Sequence, residues 1–98
     1  MLPTDLARTT FAPHVGEPFQ ASLQGESVTL ELKEVRQLPS YNPKAPREPF
    51  ALVFRGQQGW RLPQTTYQFQ HPVLGELDIF ITQTSDGPDG SMYEAVFN

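Results

Sequence analysis

The chain contains two histidines, His14 and His71, the residue type that most often binds metals and transfers protons near neutral pH. They lie far apart in the sequence, and neither belongs to a short ligand spacing such as His-x-x-x-His. The sequence therefore predicts no metal site. Because His71 directly precedes Pro72, we expect it to end a strand, with its ring bonded to a backbone group or to water.

Two pairs of acidic residues also resemble sites. Asp86 and Asp89 lie in a Gly-containing turn like a calcium loop, but the alternating oxygen ligands and the closing Glu of such a loop are missing. A hairpin turn is the better interpretation. Glu76 and Asp78 share one face of a predicted strand and resemble an acid–base pair. Without a nucleophile or a pocket beside them, they are interpreted as a solvated strand face.

The other motifs of catalysis and cofactor binding are missing from the sequence. The chain has no Cys, which excludes disulfides, thiolate metal sites and a Cys nucleophile. Its serines lack a G-x-S-x-G context, and neither a P-loop nor a dinucleotide fingerprint occurs. We expect a protein that is not an enzyme and that needs no cofactor. A hydrolase using Asp78 or His71 is the least favoured hypothesis.

Two surface segments have the composition of partner-binding sites. A proline-rich stretch carries Tyr41, Lys44 and Arg47, and its prolines recur at every third position, the period of a polyproline II helix. Such a segment docks at low entropic cost, although it serves equally well as a stiff link between strands. Trp60 and Arg61 form the second candidate, because Trp and Arg are enriched among residues that carry binding energy. Alternatively, Trp60 folds back as a lid on the end of the fold.

Charge and hydropathy restrict the class of partner. The net charge is -4, which disfavours nucleic acids, yet residues 36–61 contain five of the seven Lys and Arg residues and only one of the eleven acids. No run of about 20 apolar residues would span a membrane, and the first residues lack the pattern of a signal peptide. We expect a cytoplasmic protein that binds neither membranes nor nucleic acids.

Alternating apolar and polar residues predict six short strands, with their centres in residues 19–23, 28–32, 50–54, 67–70, 76–82 and 92–97. A chain of 98 residues suits one domain, in which residues 1–16 form a short helix and residues 17–98 form the sheet. Thr4 or Thr10 caps this helix, and Pro13 keeps it short. Residues 50–54 are apolar on both sides and should be the most buried, whereas Phe80 lies on a polar side and should contact the helix or a partner.

Short links between six strands favour a meander that closes into a small barrel, or two packed sheets. If the strands alternate in direction, the turns near residues 25, 59 and 87 share one end of the fold. The loops near residues 43 and 73 then share the other end. We therefore predict an all-β fold of about six antiparallel strands, with the barrel preferred over the sandwich.

Three segments resemble a family of small bacterial proteins described as a domain of unknown function: residues 50–56 (FALVFRG), 71–75 (HPVLG) and 93–98 (YEAVFN). Residues 11–19 are similar as well. The resemblance implies a shared fold and no catalytic residues. Members are often encoded beside phage-tail-collar-like proteins, which implies an accessory or assembly role. Among the matching residues, the charged Arg55 is predicted to form a structural ion pair with Glu94.

The leading functional hypothesis is a non-enzymatic interaction or assembly module that contacts a protein through the Tyr41 to Pro49 loop and Trp60. The predicted contact residues are Tyr41, Lys44, Arg47, Trp60 and Arg61. The alternative is a barrel that holds a small ligand in its mouth. That alternative requires an apolar cavity of a few hundred Å³. We expect the many Phe side chains of this chain to fill such a space.

Overall fold

The computed structural model describes residues 6–39 and 49–97. A short α-helix and a 3₁₀ turn precede six β-strands, which confirms the predicted all-β fold with its N-terminal helix. The elements are α1 (Arg8–Phe11), the 3₁₀ turn (Ala12–His14), β1 (Pro18–Leu23), β2 (Glu26–Gln37), β3 (Phe50–Gly56), β4 (Thr65–His71), β5 (Gly75–Gly87) and β6 (Gly90–Phe97).

The strands pair antiparallel and form one closed, ring-like sheet in the order β1-β2-β3-β6-β5-β4. Closure confirms the barrel, but the predicted meander is wrong. The chain leaves β3 and crosses one end of the ring through residues 57–64, so that β4 pairs with β1 and β5 while β3 pairs with β6. We call the end of the ring that this segment crosses the loop end. It also holds the hairpin turns that join β1 to β2 and β5 to β6. The opposite end, with α1 and the turn after β4, is the helix end.

A register shift in β2 explains why its apolar residues stop alternating. The pairing of β2 with β3 shifts between Leu32 and Glu34, which leaves Lys33 as the extra residue of a bulge. Leu32 and Val35, three positions apart, therefore both pack against the core.

Aromatic side chains fill the barrel from one end to the other. Near the middle, the ring of Phe54 lies 5.5 Å from that of Phe19 and 5.0 Å from that of Phe69. At the helix end, the fully buried Phe11 of α1 contacts Phe50 and Phe97, with ring centroids 6.0 and 5.9 Å away. The short helix thus closes one end of the barrel with a single aromatic side chain.

The N-terminal helix is short, as predicted, but its N-cap is Ala7 rather than a threonine, and Thr4 lies outside the described residues. Thr10 lies within the first turn instead, where its hydroxyl accepts a hydrogen bond from the backbone N–H of Ala7 at 3.1 Å. Pro13 lies in the 3₁₀ turn that follows, so that α1 has only four residues. Within the described ranges, neither helix has the length or the apolar character to cross a bilayer.

Strand β3 confirms the prediction made for residues 50–54, because all of them except Val53 are buried. Its outward-facing Ala51 is fully buried although it points away from the core. The side chain of Arg36 starts on β2 opposite Ala51 and reaches Glu94 on β6 at 3.5 Å, so this ion pair crosses over β3 and covers it.

Candidate functional site

Three ionisable side chains from separate parts of the sequence meet at the helix end. His14 ends the 3₁₀ turn, Glu17 precedes β1, and His71 ends β4. The same carboxylate oxygen, Oε1 of Glu17, lies 2.8 Å from Nδ1 of His14 and 2.7 Å from Nε2 of His71. The two imidazole rings meet edge to face with centroids 4.6 Å apart. We call these three residues the His–Glu–His cluster.

The surroundings of His71 fix the position of its ring hydrogen. Its Nδ1 accepts hydrogen bonds from the backbone N–H groups of Val73 at 3.1 Å and Leu74 at 3.2 Å. A nitrogen that accepts two such bonds carries no hydrogen, so the neutral ring carries its hydrogen on Nε2 and donates it to Glu17. This confirms the prediction that His71 ends a strand with its ring bonded to the backbone.

The His–Glu–His cluster also has the donor set of a metal site, because its ligand atoms all lie within 4.8 Å of one another. A metal would bind His71 through Nε2 only after the hydrogen moved to Nδ1, where two backbone N–H groups already point. Metal-binding histidines normally donate that second hydrogen to an acceptor. The neighbours of His71 are instead two N–H donors, which need an acceptor at Nδ1. The cluster therefore fits a hydrogen-bonding role better than metal binding.

The cluster predicts a defined acid response. Hydrogen bonds from His14 and then from His71 lower the pKa of Glu17 below its ordinary 4.5, against a smaller opposing effect of desolvation. A carboxylate with a lowered pKa stabilises the fold above the unfolded-state pKa, and this contribution is lost as the pH falls through the folded-state value. We expect Glu17→Gln to flatten the decline in unfolding free energy below pH 4.5.

The measurement is urea unfolding at a series of pH values between neutrality and about pH 3. Glu34, whose pKa is lowered by its hydrogen bond with Arg36, accounts for another part of the decline and is unchanged in the variant. Glu26→Gln is the control, because Glu26 is exposed at the start of β2. Equal slopes for the wild type and Glu17→Gln would contradict the assignment.

At the loop end, side chains of β5 and β6 hold the crossing segment in place. The amide of Gln83 donates to the carbonyl of Trp60 at 2.8 Å and accepts from the N–H of Leu62 at 3.2 Å. Asp86 accepts from the N–H of Gly59 at 2.9 Å, and Ser91 donates to the carbonyl of Gln57 at 2.8 Å. Four side-chain hydrogen bonds thus hold the backbone of a segment that has no strand partner.

The outward side of β5 and β6 differs from the rest of the barrel surface. Phe80 and Val96 are 51% and 52% exposed. The register pairs Thr82 with Glu94, and the next outward position along each strand is Phe80 on β5 and Val96 on β6. We call this surface the acidic face; its outward residues are Glu76, Asp78, Phe80, Thr82, Glu94 and Val96.

Comparison with known protein families identifies the relatives of this barrel. The model of a family described as "Domain of unknown function (DUF6916)" matches residues 6–97. The chain belongs to this family. The match confirms the predicted domain-of-unknown-function family. No curated protein and no solved structure matches the chain.

Within this DUF6916 domain, the predicted contact residues are divided between the core and the surface. Trp60 is half-buried and packs against the hydrophobic core, which supports the lid interpretation, whereas its neighbour Arg61 is exposed. Tyr41, Lys44 and Arg47 lie outside the described residues. Of the predicted set, the structure therefore places only Trp60 and Arg61.

The position of Trp60 leads to a stability prediction. Trp60→Ala should lower the free energy of unfolding by about 2 kcal/mol, because it removes a large side chain that packs against the core at the loop end. Arg61→Ala should change it by less than about 0.5 kcal/mol, because that side chain is exposed. Urea unfolding of both variants is the measurement. A Trp60→Ala variant as stable as Arg61→Ala would show that Trp60 does not act as a lid.

The predicted ion pair of Arg55 has a different partner. The register places Arg55 opposite Glu31 on β2 and opposite Met92 on β6, and its guanidinium lies 2.7 Å from the Glu31 carboxylate. Glu94, the predicted partner, faces Arg36 instead. The predicted pair is wrong, because it was inferred from a residue at a strand end and one near the terminal strand, whereas the order and register of the strands decide which charges face one another.

The acidic pairs also have structural explanations. Asp86 caps the crossing segment through Gly59, and it lies in the β5–β6 hairpin as the turn interpretation predicts. Asp78 points outward from β5, whereas His71 is buried with both ring nitrogens engaged. The two groups invoked for a hydrolase therefore do not meet in one cleft.

The ligand-carrier alternative requires an apolar cavity of a few hundred Å³ at the mouth of the barrel. The barrel axis itself is filled, since Phe19, Phe54 and Phe69 pack there ring against ring. A groove of about 320 Å³ lies instead at the loop end, where Leu23 and Tyr67 are among its walls. The hydroxyl of Tyr67 is already used, because it donates to the carbonyl of Pro63 at 2.7 Å.

Proposed function

We propose that this domain is a non-enzymatic interaction module that binds a protein partner through the acidic face. The observation that carries the proposal is the pair of half-exposed apolar side chains, Phe80 and Val96, at neighbouring positions of one sheet face. Protein interfaces combine such an apolar centre with a polar rim, and aromatic side chains often supply their largest contributions. Asp78, Thr82 and Glu94 would form that rim.

The other exposed apolar residues support this choice by contrast. Val15 and Val73 are also exposed, but both lie in short turns at the helix end, beside the His–Glu–His cluster. Phe80 lies within the longest strand of the barrel and has Thr66 as its cross-strand neighbour on β4. An aromatic side chain on a rigid strand loses little entropy when it docks, which favours it as the centre of an interface.

A binding experiment with matched variants tests the proposal. Wild type, Phe80→Ser and Val73→Ser are immobilised, proteins captured from an extract of the native cells are identified, and the binding of each purified candidate is measured by calorimetry. We expect wild type and Val73→Ser to agree within about twofold and Phe80→Ser to bind at least about tenfold more weakly. Candidates that bind Phe80→Ser as tightly as wild type would contradict the proposal.

The family resemblance adds one partner to test first. A phage-tail-collar-like protein, the neighbour that the resemblance implies, should enter the calorimetric comparison whether or not it is captured. Arg61 remains a proposed secondary contact at the loop end, where its exposed side chain lines a shallow groove with Gln83 and Asp86. Arg61→Ala added to Phe80→Ser shows whether it contributes independently.

A further inference from the structure

We infer that the partner of the acidic face presents a basic surface, in which an apolar side chain is surrounded by Lys or Arg. This inference rests on the proposed function. Strands β4, β5 and β6 together contain the acids Glu76, Asp78, Asp86 and Glu94 and not one Lys or Arg. The Lys and Arg side chains near these strands come from other elements, since Arg36 contacts Glu94 and Arg61 lines a groove with Asp86 at the loop end. The charges that the three strands themselves place around Phe80 are therefore all acidic.

The carboxylates beside Phe80 have few neighbours that compensate their charge. The carboxylate of Asp78, two positions before Phe80 on the same side of β5, has no hydrogen-bond or ion-pair partner among the described residues. Glu76 accepts one bond of 3.2 Å from the amide of Gln68. Glu94 has the 3.5 Å contact with Arg36, which is shared with Glu34.

A partner that covers Phe80 must remove water from Asp78 as well. Burying a carboxylate without a compensating partner is costly, whereas a Lys or Arg that pairs with it offsets the loss of hydration. Lysine or arginine at the rim also steers the partner toward this side of the barrel and speeds association. The same charges make nucleic acids and anionic lipid surfaces unfavourable occupants.

A second copy of the chain is also disfavoured on this face. Two-fold pairing would place the Asp78 and Glu94 of one molecule against the same acids of the other. Of the described bases, Arg36 already contacts Glu34 and Glu94. Lys33 and Arg55 line a groove with the β5–β6 hairpin at the loop end, away from Phe80. Arg55 is moreover already paired with Glu31.

A displayed library of random dodecapeptides, panned against the immobilised wild-type protein, is the probe. Binding of the enriched peptides is then measured for wild type, Phe80→Ser, Asp78→Asn and the control Glu26→Gln. The control removes the same charge from an exposed position on β2, the strand opposite β5. Sedimentation of the wild type alone reports self-association.

We expect the enriched peptides to combine an apolar residue with Lys or Arg and to bind Phe80→Ser at least about tenfold more weakly. Asp78→Asn should weaken binding about three- to tenfold at about 0.05 M salt and much less at about 0.5 M, with Glu26→Gln unchanged. Two results would overturn this inference and leave the proposed function standing. In the first, peptides whose binding is weakened by Phe80→Ser carry no basic residues; in the second, their binding is unchanged by Asp78→Asn. Peptides that ignore Phe80→Ser would overturn the proposed function itself, and self-association through Phe80 would replace the basic partner with a second copy.

Discussion

Phe54→Ala is expected to lower the free energy of unfolding by about 3–5 kcal/mol, a large part of the stability of a domain this size. Phe54 is fully buried, and its ring lies between those of Phe19 and Phe69 at the centre of the barrel. Removing the ring loses its transfer free energy and leaves a cavity, because neighbours on hydrogen-bonded strands cannot collapse into the space. Urea unfolding monitored by circular dichroism measures the change.

Phe80→Ala is the matched control, since it makes the same chemical change at an exposed position. It should cost less than about 1 kcal/mol, because a half-exposed ring on a sheet surface is not part of the core. The comparison also bears on function. If Phe80→Ala were as destabilising as Phe54→Ala, Phe80 would have a structural role that explains its presence without a partner.

Gly90→Ala is expected to destabilise the fold by about 3 kcal/mol or more. Gly90 starts β6 with φ of +117°, a conformation that side chains rarely adopt, and an added Cβ would lie 2.5 Å from the carbonyl oxygen of Gly56 on β3. The obstructing atom belongs to the backbone, so the contact cannot be relieved by rotation of a side chain. Relief requires β3 and β6 to separate at the loop end, next to the buried hydrogen bond between Tyr93 and Ser91.

Gly87→Ala, at the other side of the same hairpin, is the control for this prediction. An added Cβ there meets nothing within 4 Å, and the backbone is outside the left-handed region. Its unfolding free energy should stay within about 0.5 kcal/mol of the wild type. Equal effects of the two substitutions would mean that general hairpin flexibility, rather than the contact with Gly56, determines the response.

The sequence was sufficient to predict the strands because their residues alternate between core and solvent. Residues 50–54 are apolar on both sides, which indicated that β3 is the most buried strand. Alternation also identified Phe80 as an apolar residue on the polar side of its strand. It could not predict the order of the strands, because alternation says nothing about which neighbour a strand pairs with. The crossing segment after Gly56 depends on the amide of Gln83, a residue with no distinctive sequence pattern.

The candidate sites differ even more clearly in what the sequence predicts and what only the fold shows. The sequence spacing of His14 and His71 predicts no shared site, yet the fold brings their rings together around Glu17, which no motif indicates. That contact depends on β1 pairing with β4, the closure of the ring. Asp78 was recognised as part of a solvated face, but its lack of a cationic neighbour becomes visible only when all three adjacent strands are known.

A photo-cross-linking amino acid placed at position 80 in the native cells tests the docking role of the acidic face most directly. Position 29 on β2, exposed on the opposite side of the ring, is the control. We expect a discrete adduct from position 80, absent from position 29, in which the cross-linked peptide of the partner contains Lys or Arg. Equal adduct patterns from the two positions, or none from position 80 in cells that contain the folded protein, would contradict it.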